Sequence, residues 1–393
     1  MIDPTCMTAG LDASALPQQL LNGLMFGAIY ALVALGYTMV YGVLKLINFA
    51  HGEVFMVGTY TALFVSWQMG YFQGAPGMTR ASGPAVLLLM LVASMIVCGL
   101  LGVAIERFAY RPMRKQARIA SLITAIGVSM LLQYGGALVL PVSPPRSILE
   151  QVNPYDGNLS IPLKPRNASL AASVDKAQSE EKLAALALEQ RIKQEGVSSE
   201  FDLSEEGKKI RAASQAAAQV SRDAESRYNE SGMSLNVPYG QGIMFLATLG
   251  LMGLLTYLVM FTKTGRQMRA VAHDFDSASL MGINVDRIVT FTFLIGSSLA
   301  GAGAMMCATF LGTQLTSFVG VTWGVKAFVA AVLGGIGNIP GAVLGGLLIG
   351  VAETLVVWAG GSQYKDAIAF VILIFVLLVK PGGLLGSAKV EKV

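Results

Sequence analysis

A chain of 393 residues could hold two or three soluble domains, but 54% of its residues are hydrophobic, only 13% are charged and 44 are glycine. Such a composition belongs in lipid. The 28 basic and 24 acidic residues nearly balance, at a net charge of +4, which gives no reason to expect a nucleic-acid partner.

In chain order, Met1–Pro17 holds Asp3 and Asp12 but no basic residue, so the tract from Gln18 reads as a permanent first span and not as a cleaved signal. Charge-free tracts cover Gln18–Leu44, Val54–Thr79, Ala81–Ile105, Ile119–Pro145, Ser231–Thr262, Ile288–Val325 and Ala327–Ala352. Each exceeds the roughly 20 residues a membrane helix needs. Thr354–Tyr364 and Ala367–Val379 add shorter ones. Cys6, Cys98 and Cys307 are odd in number and far apart, which suits packing and neither a disulfide framework nor a metal site.

Outside a central polar segment, basic residues gather at Lys45, at Arg107–Arg118, at Lys263–Arg287 and at Lys380–Lys392. The positive-inside rule puts these four places in the cytoplasm. The expectation is an all-α polytopic membrane protein of about 8–10 transmembrane helices with discontinuous segments. Its N-terminus is outside and its C-terminus inside. The nominal spans are Gln18–Tyr41, Leu46–Trp67, Pro84–Ile105, Ala120–Leu140, Tyr239–Phe261, Ile288–Leu311, Val321–Ile336, Gly341–Ala359 and Asp366–Val379. Residues 1–141 form an N-terminal membrane part, 142–238 a periplasmic insertion, and 239–393 a C-terminal membrane part with a cytoplasmic loop at 262–287.

Within the first part, Lys45-Leu-Ile-Asn48-Phe-Ala-His51-Gly52-Glu53 interrupts a hydrophobic run. Two readings stand: a helix break whose polar groups point into a path, or an ordinary cytoplasmic turn. The insertion contains 12 basic and 14 acidic residues, a net charge of −2 against +6 for the rest. Val174–Gln194 and Glu205–Tyr228 are rich in strong helix formers. Ser204 caps the second helix in this reading and Gly196 ends the first, which together make a solvated helical hairpin.

Farther on, Arg266, Arg269 and His273 lie three and four apart, and Ala270, Asp274 and Ala278 four apart. That spacing suits one short helix, stopped by Gly282, that docks into a partner's cleft; an interfacial helix on anionic lipid is the other reading. Gly337, Gly341 and Gly345 repeat every four residues and predict a helix face for close packing. The run Gly334–Gly341 lacks the Lys-Ser or Lys-Thr of a phosphate loop, so no nucleotide site is expected in this chain. His51 and His273 lack a zinc motif's neighbours, and no metal or catalytic set is expected. The candidates for a translocation path or gate are Asn48, His51, Glu53, Lys326, Asn338 and Glu353. No pairing of charges in the spans stands out as a clamp made of a carboxylate and an ammonium.

The run Asn22-Gly23 through Gly27, Tyr30, Gly36-Tyr37-Thr38 and Tyr41-Gly42, followed by Ile47-Asn48-Phe-Ala-His51-Gly52-Glu53, resembles the H-type permease of bacterial high-affinity branched-chain amino acid importers. Ile105-Glu106-Arg107, Tyr110-Arg111-Pro112, Gly265-Arg266, Arg269-Ala270, Met281-Gly282-Ile283-Asn284, Lys326-Ala327, Gly334-Gly335-Ile-Gly337-Asn338-Ile-Pro340-Gly341 and Tyr364-Lys365-Asp366 are similar too. The resemblance implies an inner-membrane permease for leucine, isoleucine and valine. It also implies a second related permease, two cytoplasmic ATPase subunits that use ATP and Mg, and a periplasmic binding protein. Relatives handle urea, short amides and other amino acids, while a secondary transporter or channel would leave the 262–287 element without a use. By resemblance, Gly265, Arg266, Arg269, Ala270, Asp274, Ala278 and Gly282 touch an ATPase. The insertion is longer than the family's usual loop.

Overall fold

The computed structural model describes residues 15–71, 82–114, 116–141, 157–164, 168–195, 204–231, 233–311 and 315–386. Cys6, Lys115, Gly196, Lys389 and Lys392 lie outside the described residues. The elements in chain order are α1 (Leu16–Leu44), α2 (His51–Gln68), α3 (Gly83–Ile105), a π-helical turn Glu106–Tyr110, α4 (Arg111–Met113), α5 (Arg118–Val139), β1 (Asn158–Lys164), α6 (Ala168–Glu195) and α7 (Glu205–Ser231). Then follow β2 (Met233–Pro238), α8 (Tyr239–Phe261), α9 (Lys263–His273), α10 (Phe275–Leu280), α11 (Val285–Phe310), α12 (Val319–Gly334), α13 (Ile339–Trp358), a 3-10 turn Ser362–Tyr364 and α14 (Lys365–Val379).

Every nominal span corresponds to a helix, but among the described residues only seven stretches are long and apolar enough to cross a membrane. The other two fall short for different reasons. Helix α2 opens on His51 and Glu53, which dilute its apolarity. Helix α12 has 16 residues, about 24 Å at 1.5 Å per residue, against a hydrocarbon core of about 30 Å. Seven such stretches stand against the nine nominal spans, with the 18-residue α2 and the 16-residue α12 beside them.

The chain divides into two compact units, with 19–157 and 238–393 in the first and 158–237 in the second. In the first, α1 and α11 are the innermost of the seven long apolar helices, and the shorter-reaching α2 and α12 are mostly buried as well. The apolar window of α1 is 89% buried and that of α11 is 72%, against 6% for α5 and 11% for α14. A helix apolar all round is enclosed by protein or faces lipid; this bundle uses both solutions.

Close approach is carried by residues without side chains. A Cβ on Gly341 or Gly345 would strike the α12 backbone at Gly334 or Ala330, and one on Gly346 or Gly350 would strike the α1 backbone at Ala31 or Gly27. Helix α13 therefore wedges between α12 and α1 with a small-residue stripe on each side, so the two helix backbones meet with little between them. Gly337 does not belong to these stripes. It lies outside the helix, at φ +92 and next to Gly335 at φ +104, and its service is the turn, which an L side chain would strain.

Among the described residues, the second unit adds the one departure from all-α structure, a two-stranded sheet of β1 and β2, to the helical pair α6 and α7. Ser204 Oγ accepts from Gly207 N at 3.2 Å as the N-terminal cap of α7. Arg191 of α6 pairs with Glu206 of α7 at 2.8 Å, while Val174, Ala177 and Leu188 are buried in this unit.

Candidate translocation site

A cavity of about 540 Å³ opens among α1, α12, α13 and α14, at the end of the bundle away from Lys45 and Arg111. Lys326 is its centre. Its Nζ lies 2.8 Å from Glu353 Oε1 of α13 and 2.7 Å from Asp366 Oδ1 of α14. Tyr30 of α1 donates its hydroxyl to Glu353 Oε2 at 2.7 Å, and Lys326 Nζ stands 3.4 Å from that hydroxyl. Lys326 and Glu353 are buried, and a buried charge is tolerated only when it is paired and hydrogen-bonded. Trp323, one turn before Lys326, packs on Tyr30 with ring centroids 5.0 Å apart and stacks on Phe55 at 5.8 Å.

Sequence reading named Lys326 and Glu353 as candidates but found no charged clamp. The structure shows the pairing: Asp366 and Tyr30, far away in sequence, close on the same ammonium as Glu353. A second crevice of about 460 Å³, between α3, α8 and α11, is lined almost wholly by aliphatic side chains with Ser298 as its one polar member; it offers no partner to a charged group.

The polar run at 45–53 forms a tight corner. Lys45 takes a left-handed φ of +55, and α2 starts at His51. Asn48 Oδ1 accepts from Ala50 N and from the Tyr110 hydroxyl, both at 3.1 Å, and its carbonyl accepts from His51 N. Asn48 thus holds the corner and ties it to the π-helical turn. His51 is wholly buried, edge-on to Tyr37 with centroids 4.5 Å apart, in the space left by Gly36. Neither of its ring nitrogens makes a hydrogen bond of normal geometry. The Glu53 carboxylate accepts from Ser129 of α5 at 3.3 Å. Gly52 lets α2 lie directly on Gly320 and Gly324 of α12. Asn338 stands apart from the cavity. Its Oδ1 caps α13 by accepting from Gly341 N, and its amide donates to Leu385 O at 2.7 Å.

Sequence reading missed a charged hub at the end of the bundle that carries Arg111. Glu106 is almost fully buried and pairs with Arg114, while its Oε2 accepts from Thr290 of α11 at 2.8 Å. Asp286 closes the network, 2.7 Å from Arg114 and 2.9 Å from Arg111. The π-helical turn adds one residue to the local winding and sets Glu106 and Tyr110 on the inner side. Arg-x-x-Arg just after Glu was visible in sequence only as charge.

The 262–287 element is two helices and not one. Asp274, expected on a helix face with Ala270 and Ala278, breaks the helix at φ −156 and caps α10, accepting from Asp276 N at 2.8 Å and Ser277 N at 3.0 Å. The four-residue spacing therefore does not carry across it. Ala278 and Gly265 face inward, Gly265 because a Cβ would strike the backbone of Leu258 and Val259. Arg266 and Ala270 are exposed, and Arg269 donates to Val259 O at the end of α8. Gly282 ends the turn at φ +80. Leu280 and Met281 are 88% and 83% exposed.

Backbone and side-chain hydrogen bonds from Ser277 hold the Asp274 carboxyl below its ordinary range. A depressed carboxylate contributes its stability above the unfolded pKa and loses it as pH falls through the folded one. Amide exchange across 275–280 is expected to quicken in Asp274→Ala at neutral pH and to stay near parental in Asp274→Asn, which keeps an acceptor. In the parent the same loosening is expected only below about pH 4. Unchanged exchange in Asp274→Ala would remove this cap from the account.

A family model described as branched-chain amino acid transport system / permease component matches residues 19–150 and 185–377. The chain belongs to that family. Among curated relatives of this permease, the high-affinity branched-chain amino acid transport system permease protein BraD of Pseudomonas aeruginosa is 36% identical over 377 residues, covering 96% of this chain and 97% of the relative. The LivH proteins of Salmonella typhimurium and Escherichia coli K12 are each 34% identical, with the same coverage. No solved structure matches the permease.

Proposed function

We propose that this chain is the translocating subunit of an ATP-driven importer that carries branched-chain amino acids to the cytoplasm. In this reading the end bearing Lys45, Arg111 and α9–α10 is cytoplasmic and the cavity around Lys326 opens to the periplasm. The partners are a second related permease, two ATPase subunits and a periplasmic binding protein, with ATP and Mg held by the ATPases. The names of the relatives support the substrate class, and the outward faces of α5 and α14 leave room for lipid and the second permease.

The observation that carries the reading is the capped pair α9–α10 between two spans, which presents Leu280 and Met281 almost fully exposed. Apolar side chains held out on a rigid, capped element are knobs for a partner's cleft. In a chain without a phosphate loop, the energy of ATP must arrive through such a contact. Ala270→Trp and the pair Leu280→Asp with Met281→Asp are expected to lower ATP hydrolysis stimulated by loaded binding protein about tenfold, the scale of losing a hot-spot contact. Arg269→Ala, which frees one backbone carbonyl, is expected to do less. ATPase retained on the purified permease and stimulated hydrolysis in liposomes read the result. Parental values for both α9–α10 variants would remove this element as the transmission contact.

A further inference from the structure

We propose that the cavity centred on Lys326 binds one zwitterionic amino acid by exchanging ion pairs with it; this rests on the importer reading above. Lys326 holds two carboxylates of different character. The Glu353 side chain is 11% exposed and is fixed by Tyr30, whereas the Asp366 side chain is 55% exposed and sits at the first turn of another helix. A pair open to water is the weaker of the two, because solvent screens it and competes for it. Asp366 is therefore the partner that yields. A ligand carboxylate takes its place on Lys326 Nζ, and the freed Asp366 carboxylate accepts from the ligand's ammonium, while Glu353 stays on Tyr30 and keeps Lys326 in position.

Charge balance explains the choice of ligand. Lys326, Lys365, Glu353 and Asp366 line the cavity with two positive and two negative charges. A zwitterion leaves that sum at zero and gives every separated charge a new partner. A free acid would leave Asp366 without its partner, and a free amine would add a positive charge beside Lys326; either leaves the cavity with a net charge, which a partly desolvated site disfavours. The aliphatic side chain meets Phe26, Trp323 and Val357 on the apolar wall, and about 540 Å³ lies within the usual range for a small-molecule site.

The test uses the assembled permease with its partner subunits in nanodiscs, without binding protein, and follows radiolabelled leucine. Isocaproate, which lacks the ammonium, and isoamylamine, which lacks the carboxylate, are expected to compete at least about tenfold more weakly than unlabelled leucine. Asp366→Asn is expected to weaken leucine about tenfold while isocaproate competes as well as before or better, because the resident competitor for Lys326 has been neutralised. Lys326→Met is expected to lose both. If that variant does not assemble, the opposite responses of Asp366→Asn still decide the matter, since its carboxylate is half exposed and a merely structural role would weaken both ligands together. No leucine binding to the parental complex, equal competition by the single-charge analogues, or parental leucine binding in Asp366→Asn would each overturn the site. Uptake of leucine into liposomes with loaded binding protein separates the failures: no uptake by the parent removes the importer reading, and intact parental uptake beside unaffected variants removes only the site.

Discussion

Gly345→Ala is expected to be among the costliest single-methyl additions in the membrane part. The added Cβ would strike Ala330 O and lie 2.9 Å from Gly334 N, and both are backbone atoms of α12. A side chain can swing aside, but a helix backbone moves only by shifting the helix, and α13 is pressed from its other side against Ala31 and Gly27 of α1. Overpacking in cores costs about 1–3 kcal/mol where side chains can adjust, and here the upper end or beyond is expected. Gly127→Ala, on α5, is the matched control, since nothing lies within 4 Å of its added Cβ. In an exposed helix interior, Ala is favoured over Gly by up to about 1 kcal/mol. Thermal loss of the monodisperse peak in detergent compares the two. A Gly345→Ala midpoint equal to that of Gly127→Ala would mean that α12 and α13 do not approach so closely.

Glu106→Ala is the second large effect. It strips a buried carboxylate from Arg114 and Thr290 and leaves Arg114, itself mostly covered, facing a void. Removing one member of a buried ion pair costs about 3–5 kcal/mol where the survivor is left without compensation; Arg114 keeps Asp286, so a loss at the lower end of that range is expected. Asp286 belongs to the same network, but its side chain is 56% exposed, so Asp286→Ala is expected to cost less than about 1 kcal/mol. Because the hub joins the π-helical turn to the start of α11, the damage should be cooperative: chemical denaturation of Glu106→Ala in mixed micelles is expected to show an early transition at that end. Equal losses in the two variants would show that burial does not set the strength of this hub.

The sequence by itself determined the solvent of this protein, the placing of its spans and the family it resembles. Charge-free tracts need no partner to be read, because lipid tests each helix by its own length and apolarity. The ends of α8 were legible to the residue for that reason, and the helices α6 and α7 were legible in their strong formers, with Ser204 as the cap of α7. Residues read through a repeating interval fared worse where the interval crossed an unseen break. Gly337 fell outside its helix, and Asp274 separated Ala270 from Ala278, since a backbone that leaves the helix resets which residues share a face. Only the tertiary structure decided how the buried charges pair. Lys326 and Glu353 were visible as costly residues in apolar tracts, but their meeting with Asp366 and Tyr30 depends on four helices closing around one point, and the glycines of α13 are what let them close. A charge in a span announces that some partner must exist; which partner it has is a property of packing, and no spacing along the chain encodes it.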